Sequence, residues 1–293
     1  MNAAEFRKSL LPHEWVWLAF LLTMWVQLAF AAGWFARDTL VFLTLLVAAG
    51  ALVRWCGRAP GPGRWRWRLA FYPLAMNVVY GTLKTAGPAI RPCVFDAELQ
   101  AADRWLFGGD PGLWMQRCVH PALTEFFSGC YLLFFPYLFL AWIYYAVRRE
   151  LPELQQMFTG FFTVYGVGFF GYMLLPAVGP HLDPGLAAHY TVPLVGGPLT
   201  RLNAEIVRLG SNHVDAFPSL HCAISSYLLA FDWRHARRRF WVYVVPCAGL
   251  WFSTLYLRYH YFTDLVAGFA LSAAVLWLVH RQPRTNYEPP ARL

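Results

Sequence analysis

Seven residues of this 293-residue chain carry groups that could do chemistry together. Two are imidazoles at the ends of apolar segments: His221 in Phe217-Pro218-Ser219-Leu220-His221, and His260 in Arg258-Tyr259-His260-Tyr261-Phe262-Thr263-Asp264. Asp264 follows His260 by four residues, the spacing that puts two side chains one turn apart on one helical face. A carboxylate there would accept the proton on one imidazole nitrogen, fix the tautomer and leave the other nitrogen free to attack. His221, on a different helix, would supply the second proton-transfer group, and an imidazole pKa of about 6.5 suits both tasks at neutral pH. Pro218 is expected as the first residue of a helix, which would aim the first-turn amides of Ser219 and its neighbours at an anion. Lys84 and Arg91 bring positive charge from far upstream, and Arg258 is a third candidate cation. Paired imidazoles, a carboxylate, amide donors and fixed cations are what phosphoryl transfer requires. A metal ion held by His221, His260 and Asp264 is the less favourable alternative, because Lys84 and Arg91 would repel it. No cofactor is called for.

The elements that position these residues must do so at the edge of a membrane. Apolar residues make up 58% of the chain and charged residues 14%, where a soluble domain carries about 25% charged residues. With 18% aromatic content, the composition is that of a polytopic all-α membrane bundle. The net charge of +8 lies in short runs between apolar spans, which marks topology signals and headgroup contacts and argues against nucleic-acid binding. Spans long enough to cross a bilayer are predicted at 14–33, 38–55, 69–87, 122–147, 157–176, 218–232, 240–258 and 262–280, about eight in all. The first follows Arg7 and Lys8, exceeds a signal-peptide core and is read as a retained helix. The sixth is the shortest, and its Asp232-Trp233 end suits an interface. The run Arg58 to Arg68 reads as a turn-rich basic loop anchored at anionic headgroups.

With the N-terminus inside, the inner segments hold twice as many lysines and arginines as the outer ones, which predicts N-in, C-in. The three clusters, carried by segments far apart in sequence, then converge on the outer face. Two outer loops are long. Residues 88–121 suggest an amphipathic segment in the interface followed by a turn. Residues 176–217 would either cap the site as a lid or simply link two helices. Cys93 and Cys118 share one outer loop and are candidates for a disulfide; Cys222, beside His221, is read as a small core residue. The expected division is an N-terminal helical pair with its basic loop (1–68), a catalytic membrane core (69–281) and a disordered tail (282–293).

These residues resemble a known superfamily. Lys84, six residues, then Arg91-Pro92 is similar to the first motif of the type 2 phosphatidic acid phosphatases. Pro218-Ser219-Leu220-His221 resembles the second motif, with leucine where the phosphatases commonly have glycine, and His260-x-x-x-Asp264 resembles the end of the third. Those phosphatases carry an arginine six residues before that histidine, where this chain has Thr254. Ala216 to His221, and Trp251 to Leu257 leading into His260 to Gly268, look like the catalytic subunit of inositol phosphorylceramide synthase and related sphingolipid synthases. The resemblance implies a six-helix core within the bundle and a phosphohistidine on His260. It implies that Asp264 orients that histidine and that His221 protonates the leaving alkoxide and deprotonates the acceptor. Lys84, Arg91, Ser219 and Arg258 would bind the phosphate. The implied partners are the membrane, a phospholipid donor and a lipid-hydroxyl acceptor such as ceramide or diacylglycerol. The activity would be headgroup transfer releasing diacylglycerol; a lipid phosphatase using water is the alternative. Losing the Thr254-position cation would suit a phosphodiester, which carries one charge less than a phosphomonoester. Arg- and Ala-rich usage with almost no lysine suggests a bacterial inner membrane, with the site on the periplasmic face (lumenal in a eukaryote).

Overall fold

The computed structural model describes residues 2–59, 61–147 and 151–281. Its helices, in chain order, are α1 (Ala3–Ser9), α2 (Pro12–Ala31), α3 (Arg37–Arg58), α4 (Pro62–Ile90), α5 (Asp96–Phe107), α6 (Pro111–Met115), α7 (Pro121–Leu132), α8 (Phe134–Val147), α9 (Leu151–Leu174), α10 (Pro184–Ala187), α11 (Pro198–Gly210), α12 (Leu220–His235), α13 (Arg237–Tyr256) and α14 (Phe262–Arg281). Among the described residues the only β pairing is an isolated bridge between Ala177 and Asp215. The bundle is all-α. The tail expected to be disordered lies outside the described residues, as do Arg148, Arg149, Arg284 and Arg292 of the charge count.

A helix occupies each expected span, but among the described residues five are long and apolar enough to cross a bilayer: α2, α3, the α7–α8 segment, α9 and α14. The span expected at 218–232 forms only a 16-residue helix, α12. The span at 122–147 is interrupted at Leu133. Pro136 explains this, because its ring displaces the carbonyl of Leu132 four residues earlier. The basic loop is shorter than expected. Helix α4 begins at Pro62, a residue suited to a first helical position, and so takes in Arg64, Arg66 and Arg68. Arg68 is buried and paired through two guanidinium nitrogens with Glu14, tying α4 to α2 rather than reaching lipid. Asp232, at the end of the span expected at 218–232, faces protein. It is fully buried and accepts hydrogen bonds from Tyr137 (3.0 Å), Tyr145 (2.7 Å) and Arg239 (3.2 Å).

Helix α9 is the most deeply buried of the five apolar spans, and its small residues set where its neighbours sit. A Cβ at Gly160 would lie 2.1 Å from the Tyr227 hydroxyl of α12, at Gly168 2.4 Å from Leu220, and at Gly171 2.3 Å from Pro218. The absence of those methyls lets the start of α12 lie directly on α9. On its other side α12 meets α14, where a Cβ at Gly268 would be 2.5 Å from the Ser219 carbonyl oxygen. These close approaches bring the two histidine segments together.

Candidate active site

Helix α13 ends in a tight turn that presents His260. Leu257 N–H donates to Ser253 (2.8 Å), Arg258 takes a left-handed conformation (φ 67°), and Tyr259 and His260 both donate to the Thr254 carbonyl (2.9 and 3.1 Å). His260 therefore precedes α14 instead of lying on it, and its contact with Asp264 is not the helical one expected from their spacing. Asp264 sits in the first turn of α14, and its Oδ2 accepts from the Tyr261 N–H (2.9 Å) while lying 3.2 Å from His260 Nδ1. The same Nδ1 lies 2.9 Å from the Ala216 carbonyl oxygen, which can only accept. The proton is thereby assigned to Nδ1 and the lone pair to Nε2. Nε2 lies 3.4 Å from Nδ1 of His221.

His221 is in the first turn of α12, between the rings of Tyr131 and Phe134, each at a centroid distance of 4.7 Å. Ser219 is the N-cap of α12, so Pro218 stands one residue before the cap, two before the first helical residue, and not at the first position. The Ser219 side chain accepts from the Cys222 N–H (3.4 Å), and its own N–H donates to the Asp264 carbonyl (3.0 Å). Both groups join α12 to itself and to α14.

His221 and His260 open on a cavity of about 350 Å³ walled largely by aromatic and aliphatic side chains of α4, the α7–α8 segment and α9. Val178, His181 and residues from the 206–216 stretch also line it, so the long 176–217 loop does border the site. The cavity holds one carboxylate, Asp215, which accepts from the Tyr80 hydroxyl (2.5 Å) and the Ser211 hydroxyl (3.2 Å). Among the described residues no lysine or arginine lines it. Lys84 is exposed on α4, beyond Tyr80. Arg91 donates to the Leu174 carbonyl and lies over the Phe95 ring. Arg258 donates to the Val192 carbonyl (2.5 Å) with its guanidinium 4.2 Å from the Tyr190 ring, and burial lowers its pKa. The structure thus brings His221, His260, Asp264 and Ser219 together and leaves the three expected cations outside the cavity wall. Cys93 and Cys118 are exposed and unbridged, and Cys222 is buried. Among the described residues no group of three His, Cys, Asp or Glu side chains is placed to hold a metal ion.

Two carboxylates absent from the expected site hold it from outside. Asp96 and Asp103 lie seven residues apart on α5, hence on one face. Asp103 accepts from the backbone N–H groups of Phe262 and Thr263 (2.8 Å each) and from the Thr263 hydroxyl, capping α14. Asp96 accepts from the N–H groups of Val178 (3.0 Å) and Gly179 (2.9 Å) and from the Tyr261 hydroxyl (2.9 Å); burial nonetheless raises its pKa. Their i, i+7 spacing in an amphipathic segment was the available signal. Replacing Asp103 with alanine leaves three buried or half-buried donors without a partner. The expected destabilisation is about 1–3 kcal/mol, read as a lower thermal unfolding midpoint in detergent. An unchanged midpoint would mean that α14 holds its start without this cap.

Comparison with known proteins gives the family. The PAP2 superfamily profile matches residues 97–278, more than half of the chain and the whole of the histidine–aspartate constellation. The chain belongs to the PAP2 superfamily. It is also 47% identical over 62 residues to inositol phosphorylceramide synthase of Candida albicans; that segment is 20% of this chain and 13% of the yeast protein. No solved structure matches significantly. This PAP2 protein is therefore an integral membrane protein of a family acting on phospholipid phosphate. At the position where PAP2 phosphatases carry the third-motif arginine, Thr254 is fully buried. Its hydroxyl donates to the Trp251 carbonyl (2.7 Å), and its own carbonyl holds the His260 turn. Here the position builds backbone rather than supplying charge.

Proposed function

We propose that this PAP2 protein is a lipid phosphotransferase. It would move a phospho-headgroup, inositol phosphate from phosphatidylinositol, onto a lipid hydroxyl such as that of ceramide, releasing diacylglycerol. The observation that carries the reading is the pair of imidazoles 3.4 Å apart on an aromatic cavity whose one lining carboxylate and lack of lining cations disfavour a phosphomonoester dianion. The likeness to inositol phosphorylceramide synthase supports the choice of headgroup and acceptor.

In the first step His260 Nε2 attacks phosphorus. The Nε2–P bond forms, the P–O bond to diacylglycerol breaks, and His221, which takes up a proton from solvent as the anionic donor enters beside it, gives that proton to the departing oxygen. His260 keeps its Nδ1 proton, so the phosphorylated ring is cationic, and Asp264 and the Ala216 carbonyl stabilise it. In the second step the acceptor hydroxyl gives its proton to His221 and attacks phosphorus, and the Nε2–P bond breaks. The catalytic core is assigned to 69–281, N-in and C-in, with the cavity opening to the periplasmic face of a bacterial inner membrane.

Purified protein in liposomes, given phosphatidylinositol labelled in the headgroup with and without ceramide, should form a labelled sphingolipid and diacylglycerol only when ceramide is present. Release of water-soluble inositol phosphate or phosphate at the same rate with and without ceramide would make it a hydrolase instead.

A further inference from the structure

The cavity presents an unmet requirement. A phosphodiester entering it brings a negative charge on its non-bridging oxygens, and developing charge there has to be met by hydrogen-bond donors. The three cations of the sequence motifs do not line the wall, and neither does Ser219, whose N–H is taken by the Asp264 carbonyl.

We propose that His181 is a phosphate-binding residue of this site, donating a ring N–H to a non-bridging phosphoryl oxygen of the lipid donor. The inference rests on the phosphotransferase reading. Four observations carry it. His181 lines the cavity together with His221 and His260. Its Nδ1 is shut off from solvent and has no protein partner, so a ligand in the cavity does not reach it; its Nε2 also has no hydrogen-bond partner among the described residues and is the ring nitrogen left to donate into the cavity. Its place is fixed relative to the nucleophile. The His181 N–H donates to the Arg258 carbonyl (2.9 Å), and its ring meets the Tyr259 ring edge-on at 5.1 Å, so it is tied to the two residues before His260. The loop that brings it there is itself held. Asp96 takes the N–H groups of Val178 and Gly179, and Gly179 (φ 85°) passes so near Tyr259 that a Cβ would lie 2.5 Å from its carbonyl oxygen.

Burial, and after it His260, draws the His181 pKa down to about 4, which keeps this ring neutral at pH 7. A neutral imidazole still offers one N–H donor and avoids the desolvation penalty of a buried cation. That suits a donor with a single negative charge.

The experiment compares His181→Ala, His181→Phe and His181→Gln with wild type in detergent. The readouts are kcat/KM for phosphatidylinositol with ceramide and inhibition by inorganic vanadate, a small phosphate analogue. Alanine and phenylalanine remove the donor, and phenylalanine keeps most of the ring volume. Both are expected to lose about a hundredfold in kcat/KM and about tenfold in vanadate affinity. Glutamine retains an N–H donor and should recover most of both. If His181→Phe binds vanadate and turns over donor as wild type does, the inference is wrong. It is equally wrong if glutamine and phenylalanine lose activity equally with matching drops in thermal midpoint, because His181 then only packs. A wild-type protein that turns over no phospholipid would instead defeat the underlying phosphotransferase reading.

Discussion

Replacing His260 with alanine is expected to abolish turnover of every phospholipid donor, by on the order of 10⁴-fold or more, without unfolding the protein. The size follows from the proposed role. A nucleophile that forms the covalent intermediate has no substitute, and neighbouring groups that act with it contribute little once it is gone. Stability should hold because the segment is fixed by backbone bonds. Tyr259 and His260 donate from their N–H groups to Thr254, and Asp103 caps α14 two residues later. The contacts that disappear are those of Nδ1 with Ala216 and Asp264 and of Nε2 with His221. The check is headgroup transfer measured beside the thermal midpoint in the same detergent. Residual activity within tenfold of wild type would rule out His260 as the nucleophile.

Replacing His221 with alanine should have an effect that depends on the leaving group. A diacylglycerol alkoxide is strongly basic and departs slowly without a proton, so a natural donor is expected to lose about 10²–10⁴-fold in rate. A donor with a phenolic leaving group departs without help. Its first step should stay within about tenfold of wild type, while transfer to the acceptor hydroxyl, which needs the base, remains slow. That contrast separates an acid–base role from a packing role. His221 is wedged between Tyr131 and Phe134, and simple loss of packing would slow both donors alike. Equal losses for the two leaving groups would therefore remove His221 from proton transfer.

The histidines, Asp264 and the helical bundle were legible because chemistry and hydropathy both leave marks along the chain. Paired imidazoles at the ends of apolar spans are costly unless they function, and roughly twenty-residue apolar runs announce helices. Boundaries were less legible where one residue decides them. Pro136 breaks the 122–147 run, and Pro62 starts α4 early enough to bury Arg68 against Glu14. The His260–Asp264 contact looked helical and is not, because the left-handed turn at Arg258 stops α13 before His260 and α14 starts after it. His181 and Asp215 could not be found from spacing. Their position beside the histidines is created by long-range bonds, from Asp96 to residues 178–179 and from Tyr80 to Asp215, that no local pattern encodes. Likewise the directions taken by the Arg91 and Arg258 side chains depend on which carbonyls and rings happen to lie beside them.

The most direct measurement is capture of the covalent intermediate. The His221→Ala protein would be mixed with a phenolic-ester donor carrying labelled phosphorus, quenched, and analysed by intact mass and peptide mapping. The proposed mechanism predicts one acid-labile phospho-headgroup per chain on His260, formed at the rate of phenol release and absent from the His221→Ala, His260→Ala double variant. Phenol released by the single variant with no label on His260 would show that phosphorus passes directly from donor to acceptor, and the phosphohistidine mechanism would be wrong.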